Sequence, residues 1–534
     1  MKNLLLLGDE AIAQAALDAG LSGMYAYPGT PSTEIMEYIQ SSEQAEERNV
    51  HREWSANEKT AMEAALGMSY CGKRAMVAMK HVGLNVAADP FINSAMTGVN
   101  GGLIVVSADD PSMHSSQNEQ DSRFYAKFAN VPCFEPSDQQ EAYEMIFDAF
   151  ELSEKYKLPV LFRITTRLAH SRASVSLREP MPEKKLSLPA DPVQFVLLPA
   201  IARKKYKYLI DAFEKLRYEI RLSKYNSFKD GSNRDMGIIA CGIAYNYLIE
   251  NIGSSNHEYP VLKLSGYPFP KDLIKDITGR CKSVLILEEG APMVEESLRG
   301  LLDDGIKIYG RMDGTVPRDG ELNPTIVAKS LGMETSFGSE VPSLVKSRPP
   351  SFCKGCGHAD MFNALIDALK FYKTGSVFAD IGCYTLGALP PYNSINSCVD
   401  MGASVTMAVG AADAGLFPSV SVIGDSTFTH SGMTGLLDAV VKGSSVTIII
   451  SDNSTTGMTG GQDSHATGRL EQICSGLGVD EKHIRLIIPL RKNHEENVLI
   501  MREEFEHRGV SVIIAQRECI QTATKKKRAV TSNR

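Results

Sequence analysis

No stretch of the 534 residues approaches the ~20 consecutive apolar residues that a membrane-spanning helix needs. Residues 1–7 hold one lysine and a short apolar run that Gly8-Asp9-Glu10 interrupts, whereas a secretory signal has a longer apolar core and a small-residue cleavage site. The expected location is the cytoplasm. Positive charge is also in deficit: 56 Lys and Arg stand against 64 Asp and Glu, with a net charge of -8 and a pI of about 5.9. That balance excludes a general nucleic-acid binder but leaves room for a small anionic ligand held by local dipoles. The 10 cysteines are scattered and form no disulfide framework. Cys353 and Cys356 form a C-x-x-C pair, and no second pair follows to complete a zinc ribbon. There is no tandem repeat of short fixed period.

What is present is an ordinary globular composition, 43% hydrophobic and 22% charged. The length allows roughly three to four domains of about 150 residues each. Up to residue 190, apolar runs at 24–27, 75–79, 103–106 and 159–162 alternate with helical patterns at 57–70 and 139–155. Such alternation predicts a parallel sheet covered on both faces. Residues 191–235 form a linker with one amphipathic surface helix over 202–221. A second α/β unit spans 236–340, with strands at 236–241 and 283–288, and a Pro- and Ser-rich joint follows at 341–350. The third unit, 345–520, has candidate strands at 376–380, 419–423, 446–451 and 510–515. Residues 521–534 make a basic tail, expected to be disordered.

The most informative segment, 420–462, reads VSVIGDSTFTHSGMTGLLDAVVKGSSVTIIISDNSTTGMTGGQ. A strand ends in Gly424-Asp425, a helix follows, and a second strand ends in Asp452-Asn453. In a right-handed βαβ unit both strand ends emerge at one sheet edge, so Asp425 and Asn453 can reach a common point. An acidic and an amide oxygen meeting there suit a hard cation such as magnesium, which shares its oxygen ligands with phosphates. Gly424 allows backbone to approach a diphosphate closely, and Gly457, Met458, Gly460 and Gly461 form a loop able to close over a cofactor. Either acidic strand end taken alone is ordinary turn chemistry; the pair is far more specific.

This pair resembles the thiamine-diphosphate motif, which opens with Gly-Asp and closes with Asn. Carried over residue by residue, the magnesium ligands would be Asp425, Asn453 and the carbonyl of Thr455. Ser426 stands where that motif usually has Gly. Thiamine chemistry also needs a carboxylate against the aminopyrimidine ring. From spacing alone, Glu58 in Ser55-Ala-Asn-Glu58 reads as the closing residue of a helix capping box. The longer pattern Glu53-Trp-Ser-Ala-Asn-Glu58-Lys-Thr-Ala61 is instead similar to the activating-glutamate segment of the indolepyruvate:ferredoxin oxidoreductase family.

The resemblance to that family covers nearly the whole chain to about residue 520. Tyr27-Pro-Gly-Thr30-Pro-Ser-Thr33 is similar to the family loop whose Thr contacts the substrate carboxylate, a role that falls to Thr30; the prolines build a tight turn in either case. Lys80-His81-Val-Gly-Leu-Asn85 is likewise similar and makes His81 a further catalytic candidate. Cys356, Gly357 and His358, with Gly382, Cys383 and Tyr384, resemble the loops that wrap the diphosphate; the family commonly has Pro where Gly357 stands. The implied fold is α/β: two doubly wound parallel-sheet domains, for pyrimidine and diphosphate, with a transketolase C-terminal-like α/β domain between them.

The resemblance implies a homodimeric enzyme, with a smaller second subunit possible, that decarboxylates an aryl 2-oxo acid such as indolepyruvate oxidatively and passes the acyl group to coenzyme A. Phe428 and Tyr384 read equally as pocket wall or as plain core. The family's ferredoxin-like domain carries C-x-x-C-x-x-C-x-x-x-C-P runs, and no such run occurs in this sequence. Iron–sulfur clusters are therefore expected only on a partner, a ferredoxin-like carrier. Non-oxidative decarboxylation or carboligation is the alternative chemistry.

Overall fold

The computed structural model describes residues 3–191, 193–253, 258–299, 305–335, 341–346, 350–373 and 375–532. They belong to two compact units, Met1–Ser339 and Glu340–Arg534.

In the first unit the apolar runs become the strands Gly23–Ala26, Ala75–Lys80, Leu103–Asp109 and Val160–Thr165, every residue of them buried. Burial on both faces is why these strands read as continuous apolar runs. Met76 and Ala78 pack on one side with Ile12 and Phe150, while Val77 and Met79 pack on the other with Met62 and Phe91. The sheet has seven strands in the order Gly266–Tyr267, Cys133–Phe134, Val160–Thr165, Leu103–Asp109, Ala75–Lys80, Gly23–Ala26, His51–Trp54. All neighbours are parallel except the first two. The covering helix Gln139–Tyr156 starts where the Asp138 side chain accepts the Glu141 N–H at 2.8 Å, and it ends at Lys157 in the left-handed region.

A five-stranded sheet, Lys307–Tyr309, Ser283–Leu287, Met236–Cys241, Val261–Leu264 and Ser227–Lys229, lies in the same unit. Two features join it to the larger sheet. The chain leaving Val261–Leu264 pairs Gly266–Tyr267 with Cys133–Phe134. Arg123, fully buried, pairs with Asp121 at 2.5 Å and with Glu288 at 3.1 Å, and the equally buried Arg163 pairs with Asp109 and Glu135. Buried charges persist only when paired in this way. The surface helix Pro199–Leu222 buries Leu209, Ala212, Leu216 and Ile220, a single stripe at helical spacing. The sequence boundary at 336–340 and residues 347–349 of the joint lie outside the described residues.

The second unit holds a six-stranded, all-parallel sheet: Ser397–Cys398, Ser376–Ala379, Ser419–Gly424, Val446–Asp452, Val510–Gln516, Ile484–Ile487. Ile448 and Ile450 pack with Leu436 and Val512 on one face, and Ile449 with Phe362 and Met501 on the other. The basic tail does not follow expectation: it begins as a helix, Ile520–Ser532. The Cys519 N–H donates to the Asn453 carbonyl at 3.0 Å and Lys525 Nζ to the Gly460 carbonyl at 2.8 Å, so local charge did not decide its structure. No helix among the described residues is long and apolar enough to cross a membrane.

Candidate cofactor site

In the second unit the parallel register sets Gly424 beside Ser451, so Asp425 and Asp452 leave neighbouring strands at the same edge. Asp425 is 2% exposed, and its Oδ2 has no hydrogen-bond partner. Burial, reinforced by the charge of Asp452, pushes its carboxyl up to about 7. Asp452 itself is satisfied, accepting the Ser454 N–H at 3.0 Å and Gln516 Nε2–H at 2.9 Å. Ser454 takes a left-handed φ of 60°, turning the chain back so that the Thr455 N–H donates to Asn453 Oδ1 at 3.1 Å. Ser426 Oγ lies 2.9 Å from Thr456 Oγ1, which ties the two strand ends together. A buried carboxylate oxygen with no donor, beside a second carboxylate, is the arrangement a hard cation relieves. Asp425 and Asn453 therefore fit a magnesium ion.

The floor beneath this edge is Tyr384. A Cβ on Gly382 would lie 2.2 Å from its ring and one on Gly424 2.7 Å, so both glycines are required by close approach. The Tyr384 hydroxyl donates to the Asp380 carboxylate. Tyr384 and Phe428 are 2% and 0% exposed. Cys356 stands at the N-cap of the helix Gly357–Leu369. His358 lies with Nδ1 3.2 Å from Cys356 Sγ, and burial lowers it to about 4, so its ring is neutral at ordinary pH. Gly357 faces the side chain of Arg517. Gly457 sits over Cys383, while Met458 is 61% exposed on the same loop.

One grouping departs from the sequence reading. Cys353, Cys356, Cys383 and Cys519 lie close enough for the charges of the other three to raise the Cys383 thiol, after burial, to about 12. Cys353 and Cys519 act on Cys356 in the same sense. The missing second pair of the C-x-x-C thus comes from residues far along the chain, one after Ser376–Ala379 and one after Val510–Gln516. Four thiols match in number the donors of a cubane iron–sulfur cluster. The signal was available only as four cysteines at loop positions following strands or flanking a helix start.

In the first unit Glu58 is the first residue of the helix Glu58–Tyr70 and is 6% exposed. The capping box is not Ser55 with Glu58. Asn57 Oδ1 accepts the Thr60 N–H at 2.9 Å, and Thr60 Oγ1 accepts the Asn57 N–H at 3.3 Å. Glu58 packs against Gly83. His81 begins the helix His81–Val86 and is buried, with neither ring nitrogen hydrogen-bonded. The Thr30 carbonyl accepts Ser115 Oγ–H at 3.2 Å. Lys80, not singled out from sequence, donates to the Ser115 carbonyl at 2.7 Å and its Oγ at 3.0 Å, with Asp110 at 3.9 Å. Burial lowers its ammonium to about 8, against the pull of Asp110. Thr30, Lys80, His81 and Glu58 all stand at strand C-terminal ends or the loops just beyond, where open α/β sheets bind ligands.

Two sequence families match the two halves of this arrangement. Residues 14–208 match the thiamine-diphosphate-binding region of pyruvate flavodoxin/ferredoxin oxidoreductases, and residues 380–487 match the C-terminal thiamine-pyrophosphate-binding domain of thiamine pyrophosphate enzymes. Fold and site thus define the class: a thiamine-diphosphate-binding 2-oxo acid oxidoreductase. Full-length comparison is more specific. The chain is 40% identical to the indolepyruvate oxidoreductase subunit IorA of Archaeoglobus fulgidus, over 97% of this chain and 86% of that protein. It is 39% identical to the IorA subunit of Methanothermobacter thermautotrophicus, over 97% and 87%. The chain belongs to the indolepyruvate oxidoreductase subunit IorA family.

Proposed function

We propose that this chain is the catalytic subunit of an enzyme that oxidatively decarboxylates an aryl 2-oxo acid of the indolepyruvate type, yielding an acyl-CoA. The observation that carries this reading is the sheet edge where Asp425 and Asn453 leave neighbouring strands and the Thr455 N–H turns back onto Asn453 Oδ1. Asp425, Asn453 and the Thr455 carbonyl would hold magnesium and, through it, the diphosphate, assisted by the N-terminal amides of Gly357–Leu369. When bound, thiamine diphosphate would supply the nucleophilic carbon and the electron sink that decarboxylation of a 2-oxo acid needs.

The protein's own groups do the rest. Glu58, buried against Gly83, would hold a proton against the pyrimidine ring. Thr30 takes the substrate carboxylate, and Lys80 supplies the positive charge that draws it in. His81, buried and without a hydrogen-bond partner, is placed to donate to a bound substrate. Cys353, Cys356, Cys383 and Cys519 would hold a cluster able to carry single electrons, bound for a ferredoxin-like acceptor. Support for the aryl substrate is the name carried by the relatives. In this reading the core is a homodimer, and the relatives' name, that of a subunit, supports room for a second, smaller subunit.

The test is anaerobic turnover of indolepyruvate with thiamine diphosphate, magnesium and coenzyme A, following viologen reduction and products together, with and without the smaller subunit. Reduced viologen with an acyl-CoA is the expected result. An aldehyde or hydroxyketone with no reduced dye overturns the oxidative reading in favour of simple decarboxylation or carboligation.

A further inference from the structure

Away from the groups described so far, the first unit brings Asp9, Glu34 and His170 together, with a ligand atom from each within 4.8 Å of the others. Asp9 lies in the first turn of the helix Gly8–Asp18, Glu34 in the first turn of Thr33–Gln40, and His170 ends the short helix Thr166–His170. The approach is tight because Gly8 has no side chain: a Cβ there would lie 2.2 Å from the Leu168 carbonyl oxygen. That contact lays the His170 helix over the start of the Asp9 helix.

The electrostatics of the group are unbalanced. Asp9 is 0% exposed, and neither of its carboxylate oxygens has a hydrogen-bond partner. Glu34 Oε2 is also without one, and its nearest basic atom is His170 Nε2 at 3.6 Å. Among the described residues no Lys or Arg forms an ion pair with either carboxylate, and Arg172 nearby is engaged by Glu10. Burying an unpaired carboxylate is costly unless it is protonated or meets a cation. Two carboxylates and one imidazole, converging from three helices, form the donor set of a first-row divalent metal. Glu34 and His170 are each 35% exposed, which gives an ion a path in and leaves coordination positions for water.

We propose that Asp9, Glu34 and His170 form a binding site for a divalent cation of the Mn2+ or Zn2+ class. The ion would pin the helix Thr33–Gln40, which follows directly on the Thr30 loop, to the two helices beneath it. This is a structural site, separate from the one that Asp425 serves.

The test uses the full chain, freed of metal and thiamine diphosphate. Mn2+, which binds thiols poorly, is titrated and free ion read by electron paramagnetic resonance; Zn2+ is titrated in parallel against a chromophoric chelator. Asp9→Asn and His170→Ala should each bind one equivalent less than the parent protein, for at least one of the two ions. Asp425→Ala should retain that equivalent. The ion should raise the thermal midpoint of the parent and leave that of Asp9→Asn unchanged. Asp9→Asn is nearly isosteric and His170 lies at the surface, so both variants should fold. If parent and variants bind equal numbers of both ions, Asp9 is simply a buried neutral acid and the proposal is wrong.

Discussion

Gly83 lies directly against Glu58: a Cβ built on Gly83 would sit 2.6 Å from the Glu58 carboxylate oxygen Oε1. The glycine thus fixes where the acid can stand, and it does so from the helix His81–Val86 that follows Ala75–Lys80. Gly83→Ala should displace the carboxylate without emptying the core. A misplacement of about 1 Å at a reacting group costs on the order of 100-fold in rate. Turnover should fall by about that factor, with the circular dichroism spectrum and thermal midpoint near the parent's. Full activity in Gly83→Ala would remove Glu58 from the chemistry.

Asp425 illustrates a trade between stability and function. Its carboxyl is pushed up to about 7 by burial and by Asp452. Asp425→Asn removes that unfavourable charge, so the metal-free variant should melt at or above the parent's temperature. It should also lose magnesium-dependent binding of thiamine diphosphate, measured by calorimetry. Unchanged binding would refute the ligand assignment.

Lys80 should impose a pH limit on substrate affinity. Burial lowers its ammonium to about 8, so the charge is present below that pH and lost as pH rises through it. KM for the 2-oxo acid should therefore climb across this interval. Lys80→Arg should carry the low KM to higher pH, because its guanidinium keeps the charge. Lys80→Met should have a high KM throughout. A KM independent of pH in the parent protein would exclude the role.

The thiol group predicts iron. Anaerobic reconstitution with iron and sulfide should load about four iron atoms per chain if one cubane forms. Cys519→Ser, although remote in sequence from the C-x-x-C, should lose most of that iron. Cys474→Ser should keep it, since Cys474 is buried elsewhere among Leu470 and Val479. Equal iron in the two variants would disperse the proposed ligand set.

The residues settle a good deal unaided. Continuous apolar runs such as Leu103–Asp109 and Val446–Asp452 report strands covered on both faces, because burial on both sides permits no alternation. Gly424-Asp425 and Asp452-Asn453 mark the proposed cofactor edge because each lies at the end of its own strand, where local pattern and local position coincide. Other features depended on which distant segments meet. Asn57 and Thr60, one turn apart, took the capping role that the spacing also offered to Ser55 and Glu58, and only backbone geometry could choose. Strand order carried Cys383 and Cys519 towards Cys353 and Cys356, and pairing of Gly266–Tyr267 with Cys133–Phe134 added the chain that leaves Val261–Leu264 to the edge of the larger sheet. The helix Ile520–Ser532 likewise owes its start to the Asn453 carbonyl rather than to its own charge. Periodicity records how each segment is buried; convergence of side chains depends on long-range register, which no local window contains.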